Sequence, residues 1–127
     1  MLVDVGSRPS PQAFIVALLT ANLQVPVSTK IPDTRPERFI TVQRVGGSMR
    51  NLVTDRVQLA VQAWAESEVY AERLCIECEA VLSASVCTPF RGAMIRHFRE
   101  VTAPLSFPDV SGQPRYQAMV EFDLAVH

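Results

Sequence analysis

Between Arg56 and Ser85 the period of the apolar positions changes. Val57, Leu59, Val61, Ala63 and Ala65 alternate with Arg56, Gln58, Ala60, Gln62 and Trp64. A period of two predicts a strand with one apolar face. From Ala65 onward the period lengthens. Ser67 suits a helix N-cap, and Glu68 and Glu72 lie near the positive end of the helix dipole. At roughly 100° per residue, Tyr70, Ala71, Leu74, Cys75, Cys78, Val81 and Leu82 form the face predicted to cover a sheet. Glu68, Glu72, Glu79 and Ser83 fall on the solvent side. Val69, Ile76 and Ala80, with Arg73 beside them, form a second, thinner stripe. Such a stripe is either scattered apolar surface or a contact with a neighbouring copy.

The same reading orders the rest of the chain. Ser10 and Pro11 supply an N-cap and a first helical residue, and the helix runs to about Gln24. It is apolar nearly all round: Phe14, Leu18 and Ala21 on one side, Ile15 and Leu19 next to them, Val16 and Leu23 behind. A helix of that kind needs cover on more than one side, from its own sheet and from a loop or another subunit. Pro26, Pro32 and Pro36 make Val25 to Glu37 an extended connector or edge. Phe39 to Val45 reads as a strand that Gly46, Gly47 and Ser48 break, with a long loop continuing through Met49, Arg50 and Asn51. The strand Val57 to Ala65 completes a hairpin. After a break at Thr88 and Pro89, Ala93 to Thr102 is a third strand. Ala103 to Pro114, with Pro104, Pro108 and Gly112, is a loop, and Tyr116 to Val126 is a cleanly alternating last strand.

Helix, hairpin, helix, hairpin is an α+β order. It predicts a two-layer sandwich: a mostly antiparallel sheet of about four strands with two helices on one face, in a single domain over residues 1–127. The opposite sheet face would be polar, carrying Gln58, Gln62, Gln117, Glu121 and Asp123, with His97 or Arg99.

Composition narrows the function. With 48% hydrophobic and 20% charged residues the chain can build a core and is not a disordered segment. A net charge of -1 argues against a dedicated nucleic-acid binder. Lys30 is the only lysine, an arginine bias that a GC-rich genome also produces. Three cysteines give no disulfide framework and fit a reducing compartment. Asp4 and Arg8 interrupt the N-terminus, so no signal peptide is expected, and the apolar run Ala13 to Leu19 is too short to cross a bilayer. The expectation is a soluble protein in the cytoplasm where it is made.

Candidate chemistry is sparse. Cys75 and Cys78 form C-x-x-C, but deep inside a helix and on or beside its apolar face, away from the N-terminus where a dipole would activate a thiol. Buried core cysteine is the better reading. A metal site would need Cys87 and His97, neither at a paired spacing. His97 within a strand and the terminal His127 support no triad. Gly46-Gly47-Ser48 lacks the phosphate-loop pattern and leads into a strand. Arg91, Arg96 and Arg99 could meet a polyanion, but simple alternation puts Arg96 and Arg99 on opposite strand faces. No catalytic residue, metal ligand or cofactor is expected.

Three segments together carry a family likeness: Pro36-Glu37-Arg38-Phe39-Ile40-Thr41-Val42 with Arg44 and Gly46-Gly47; Gln62-Ala63-Trp64-Ala65 with Ser67 and a helix; and Ser111-Gly112-Gln113-Pro114-Arg115-Tyr116-Gln117 opening the last strand. In order and spacing, over roughly residues 10–127, the chain resembles tail terminator proteins of long-tailed phages, also called head-to-tail joining or minor tail proteins. The closest likeness is to those of actinobacteriophages. The resemblance implies a virion protein of the tail–neck region, assembled in the host cytoplasm as a homo-hexameric ring. It would cap the head-proximal end of the tail tube, end tube polymerisation and dock the head-completion, or stopper, protein. Genomic DNA would pass through without specific binding, and no membrane or cofactor is involved.

Within that reading, Val69, Arg73, Ile76 and Ala80 with Ile15 and Leu19 of the first helix are the expected subunit interface. Gly46, Gly47, Ser48, Met49, Arg50, Asn51, Phe107 and Asp109 are the expected tube or head contacts. The polar sheet face is the candidate lumen lining, for which a near-neutral or acidic surface suffices. Two other classes fit the same residues: another neck or head-completion ring component, which would bind portal instead of tube protein, and a cellular α+β module that dimerises through its sheet.

Overall fold

The computed structural model describes residues 9–126. Asp4, Arg8 and His127 lie outside the described residues. The elements follow in the order α1 (Pro11–Asn22), β1 (Val27–Ser28), β2 (Phe39–Asn51), β3 (Thr54–Trp64), α2 (Glu68–Ala84), β4 (Ala93–Ser106) and β5 (Arg115–Val126). The sheet order is β1-β2-β3-β5-β4, with both helices packed on its strands, an α+β fold. There are five strands where about four were expected. The extra one, β1, pairs parallel with β2 through Val27–Ile40 and Ser28–Thr41. It forms just after Pro26, whose carbonyl accepts from the Ile40 amide at 2.9 Å. The remaining pairings are antiparallel.

Both helices start where their caps dictate. The Ser10 hydroxyl accepts from the Ala13 amide at 3.2 Å, and the Ser67 hydroxyl accepts from the Tyr70 amide at 3.2 Å. Helix α1 stops at Asn22, whose side-chain amide donates to the Leu18 carbonyl at 2.8 Å. The core lies between helices and sheet: Phe14, Ile15, Leu18 and Leu19 from α1, Leu74, Cys75, Cys78 and Leu82 from α2, and Val57, Leu59, Val61, Val120 and Phe122 from the central strands. Ile15 and Leu19 are therefore core residues and not interface residues. Both are 0% exposed, and truncating such a residue to alanine costs about 2–5 kcal/mol.

The Gly46–Asn51 segment is strand, not loop. β2 runs through it to a two-residue turn at Leu52 and Val53. Its register against β3 shifts between Arg44 and Gly46, the signature of a β-bulge. Gly47, at φ 100°, lets the strand continue: a Cβ there would lie 2.0 Å from the Arg56 carbonyl oxygen. The glycine pair thus lets the two strands approach each other where a break was expected.

β4 also runs longer than its expected end at Thr102, reaching Ser106 and leaving residues 107–114 as the loop. Its register against β5 shifts between Arg96 and Arg99, again between Glu100 and Thr102, and again between Thr102 and Leu105. His97 has φ 53° within the first of these bulges. Arg96 consequently pairs with Asp123 and Arg99 with Glu121, and those partners are two residues apart on one face of β5. The two arginines share a face, against the expectation from simple alternation.

Gly47→Ala is expected to lower stability by about 2–4 kcal/mol, because it meets backbone and also forces a positive φ on a Cβ. Gly46→Ala meets only the Gln58 side-chain tip, at 2.8 Å, and should cost less. Denaturant unfolding of both variants checks the order; equal stabilities would contradict the close approach at Gly47.

Candidate assembly surfaces

The helix-free sheet face is polar, as its alternation predicts, and its polar groups are cross-linked in rows. The Gln62 side-chain amide donates to the Gln117 side-chain Oε1 at 2.7 Å, and the Gln62 Oε1 in turn accepts from the Thr41 hydroxyl at 3.1 Å. One row further along, Gln58 and Arg99 both donate to Glu121, each at 3.0 Å. Asp123, 1% exposed, accepts from Arg50 at 2.7 Å and Arg56 at 3.0 Å. Burial alone would raise the Asp123 pKa; the two guanidinium hydrogen bonds outweigh it and hold the carboxylate below its usual range. Gln58 and then Arg99 do the same for Glu121. With Arg50, Arg56, Arg96 and Arg99 set against Glu121 and Asp123, this part of the face is net basic, not neutral or acidic. The bulges create that excess by bringing Arg50 onto it and by placing Arg99 on the same side as Arg96.

The two expected contact segments lie at opposite ends of the sheet. The pairings Thr54–Ala125 and Ala63–Tyr116 mark those ends. At the Thr54 end the β2–β3 turn exposes Met49 (51%), Leu52 (83%) and Val53 (55%). Leu52 and Val53 join the expected contacts Met49 to Asn51 because β2 runs six residues past Val45, to Asn51. At the Ala63 end, Trp64 stacks on Phe39 with ring centroids 4.5 Å apart and is fully buried although it lies on the helix-free face. Arg115 covers it at 5.3 Å and lies 4.5 Å from the Phe107 ring. The Trp64 indole N–H is buried without a hydrogen-bond partner.

Phe107 and Asp109, expected as contacts, help to hold the loop itself. Arg115 donates to the Phe107 carbonyl at 2.7 Å, while Asp109 accepts from Arg35 at 2.7 Å and from Ser111 at 2.6 Å. The Ser111 hydroxyl and Arg35 keep the Asp109 carboxyl well below the usual carboxylate range. Phe107 remains 45% exposed beside Arg115, and Val110 at the loop apex is fully exposed.

The thin stripe of α2 is exposed as expected, with Val69 at 59%, Ile76 at 51% and Ala80 and Arg73 also on the surface. Tyr70, expected on the sheet-covering face, is instead 42% exposed; its ring lies under Arg38, 4.4 Å away. Arg38 also donates to Glu66, at 3.1 and 2.9 Å from Nε, which pulls the Glu66 pKa down to about 2. Glu79 is not on the solvent side. It is half-buried and meets Glu100 of β4. Burial, then the shared hydrogen bond with Glu100 and its charge, push the Glu79 pKa up to about 8.

The remaining sequence candidates stay apart. Cys75 and Cys78 are fully buried, and burial pushes the Cys75 thiol up to about 12 and raises Cys78 as well. Thiols in that state are poor nucleophiles. Among the described residues no group of three or more His, Cys, Asp or Glu converges to hold a metal ion. No described helix is long and apolar enough to cross a membrane. A scan of protein-family models and a search of curated proteins each find no match to the chain.

A carboxyl whose folded pKa lies above its unfolded value is protonated more readily by the native state. Its ionisation therefore destabilises the fold progressively between about pH 4.5 and 8, and not below that window. Glu79→Gln should raise the melting temperature at pH 8 and leave it nearly unchanged at pH 4. Thermal melts at both values decide; an equal effect at each pH would remove the carboxyl pair as the cause.

Proposed function

We propose that this protein is a ring-forming structural subunit of a phage tail, of the tail-terminator kind. The observation that carries the reading is the distribution of exposed apolar side chains. Met49, Leu52 and Val53 group at one end of the sheet and Phe107 and Val110 at the other, and Val69, Ile76 and Ala80 form a third surface; Ile31, Val45, Tyr70, Val101, Leu105 and Val126 are exposed as well. Scattered apolar surface residues are ordinary, but grouped ones mark contacts. A subunit in a stack of rings needs that arrangement: one end toward the tube, the other toward the head, and sides toward its neighbours. The chain order and the segments around Phe39, Trp64 and Arg115, which resemble tail terminators, support the same reading.

In the proposed assembly six copies close a ring on the head-proximal end of the tail tube, end its polymerisation and receive the head-completion protein. The polar sheet face lines the passage for genomic DNA. Its basic excess is largely held in ion pairs to Asp123 and Glu121, so it attracts a polyanion weakly and without reading sequence. The protein works in the virion neck and is assembled in the host cytoplasm.

Electron microscopy of tails made with the gene intact or disrupted tests the function. Tails of abnormal length that do not join heads are expected on disruption. Normal-length tails that still fail to join would move the protein to the head side of the neck, and normal virions would end the phage reading. At the level of the subunit, Ile76→Glu should abolish oligomers while shifting stability by no more than about 0.5 kcal/mol, the usual range for surface substitutions. Sedimentation and thermal melts measure both, and intact rings in the variant would remove Ile76 from the interface.

A further inference from the structure

The two lateral edges of the subunit differ in chemistry and complement each other. At the β4 edge, Ile76 and Ala80 of α2 line a shallow apolar depression. Phe98 and Pro104 of β4 complete its lining, and its volume is about 440 Å3. Glu79 and Glu100 lie side by side within this surface. Neither forms an ion pair with an arginine or lysine among the described residues.

At the opposite edge, α1 and the segment at β1 enclose a hollow of about 630 Å3, floored by Val16, Ala17, Thr20 and Ala21 and bordered by Val27. Arg91 stands at its rim. Arg91 and Gly92 form the two-residue turn between Phe90 and Ala93, both with positive φ, so the side chain is carried outward on a tight, hydrogen-bonded corner. Its guanidinium lies 5.3 Å from the Phe90 ring and pairs with no carboxylate among the described residues.

We infer that a second copy of this chain docks across these edges, head to tail: the shallow apolar surface around Ile76 and Ala80 of one subunit packs against the α1 face of the next, and the Glu79–Glu100 pair meets Arg91. The apolar parts supply burial, and the charges fix register and reject the wrong pairing of like edges. Because the surfaces lie at opposite ends of the strand order, β1 at one side and β4 at the other, the contact is heterologous and repeats into a ring or an open filament. It gives α1 the cover on its outer side that its all-round apolar sequence calls for. The contact rests on reading the chain as a ring-forming subunit and identifies which faces close that ring.

Charge exchange tests it in the full-length protein. Arg91→Glu makes the α1 edge acidic, and Glu79→Arg combined with Glu100→Gln makes the β4 edge basic. All three positions are on or near the surface, and circular dichroism checks that both variants fold. By sedimentation velocity, the wild type should form a species larger than a dimer. Each variant alone should associate about tenfold or more weakly, because like charges then face each other. An equimolar mixture should regain the wild-type species, since subunits alternating around the ring restore an opposite-charge pair at every junction. Variants that assemble as well as wild type would overturn this contact and leave the ring reading standing. A wild type that stays monomeric at the highest soluble concentration would overturn both, and a wild type or rescued mixture that stops at dimers would overturn the head-to-tail arrangement.

Discussion

The unbroken register between β3 and β5 decides which way nearly every other side chain points. It runs from Thr54 opposite Ala125 to Trp64 opposite Arg115 without a shift. Val57, Leu59 and Val61 face the helices together with Phe122, Val120 and Ala118, while Gln58 and Gln62 face away with Glu121 and Gln117. A slip of one residue would exchange those sets and bury carboxylates under α2, so one face being apolar specifies the pairing. The two central strands are regular, and the irregularities lie in β2 and β4 on either side of them. That division lets the core stay fixed while the outer strands twist to re-aim their surface residues.

This is also why some of the fold could be read from the sequence and some could not. Both helices, their caps at Ser10 and Ser67, the strands around Val57 and Val120, and the polar character of the helix-free face all follow from periodicity and local chemistry. The bulges do not. Gly46 and Gly47 look like a strand breaker, and only the close approach of the Arg56 carbonyl to Gly47 makes them part of a continuous strand. Nothing in the residues around His97 announces a positive φ, yet that one residue brings Arg96 and Arg99 to the same side and turns the polar face basic. The parallel strand β1 is two residues long and too short to leave a periodic signal.

The errors on the helices have a different origin. A helical wheel ranks positions by angle but does not say how far cover extends. Ile15 and Leu19 are fully buried within the subunit itself. Tyr70, at the first turn of α2, projects past the end of the cover and finds Arg38 instead. Glu79 lies where the wheel expects solvent, but the bulge at His97 shifts the β4 register so that Glu100 pairs with Val120 on the helix side and meets it. In each case the missing information was the extent or the register of a neighbouring element and not the character of the residue itself.

Arg91 shows the same separation between what folds the subunit and what it displays. A two-residue turn with positive φ at both centres favours glycine or asparagine, and a long side chain in that region costs about 1 kcal/mol or more. Phe90, just before it, packs edge-on against Phe14 and so helps to hold α1 in place, which requires the corner but not the arginine. Its guanidinium has no carboxylate partner among the described residues, and the Phe90 ring beside it contributes at an exposed site only about 0.5–1 kcal/mol. Within one subunit, then, the side chain at this position offsets its backbone cost at best. Local rules tend to be broken where a surface is used, and the surface beside Arg91 is the uncovered side of α1.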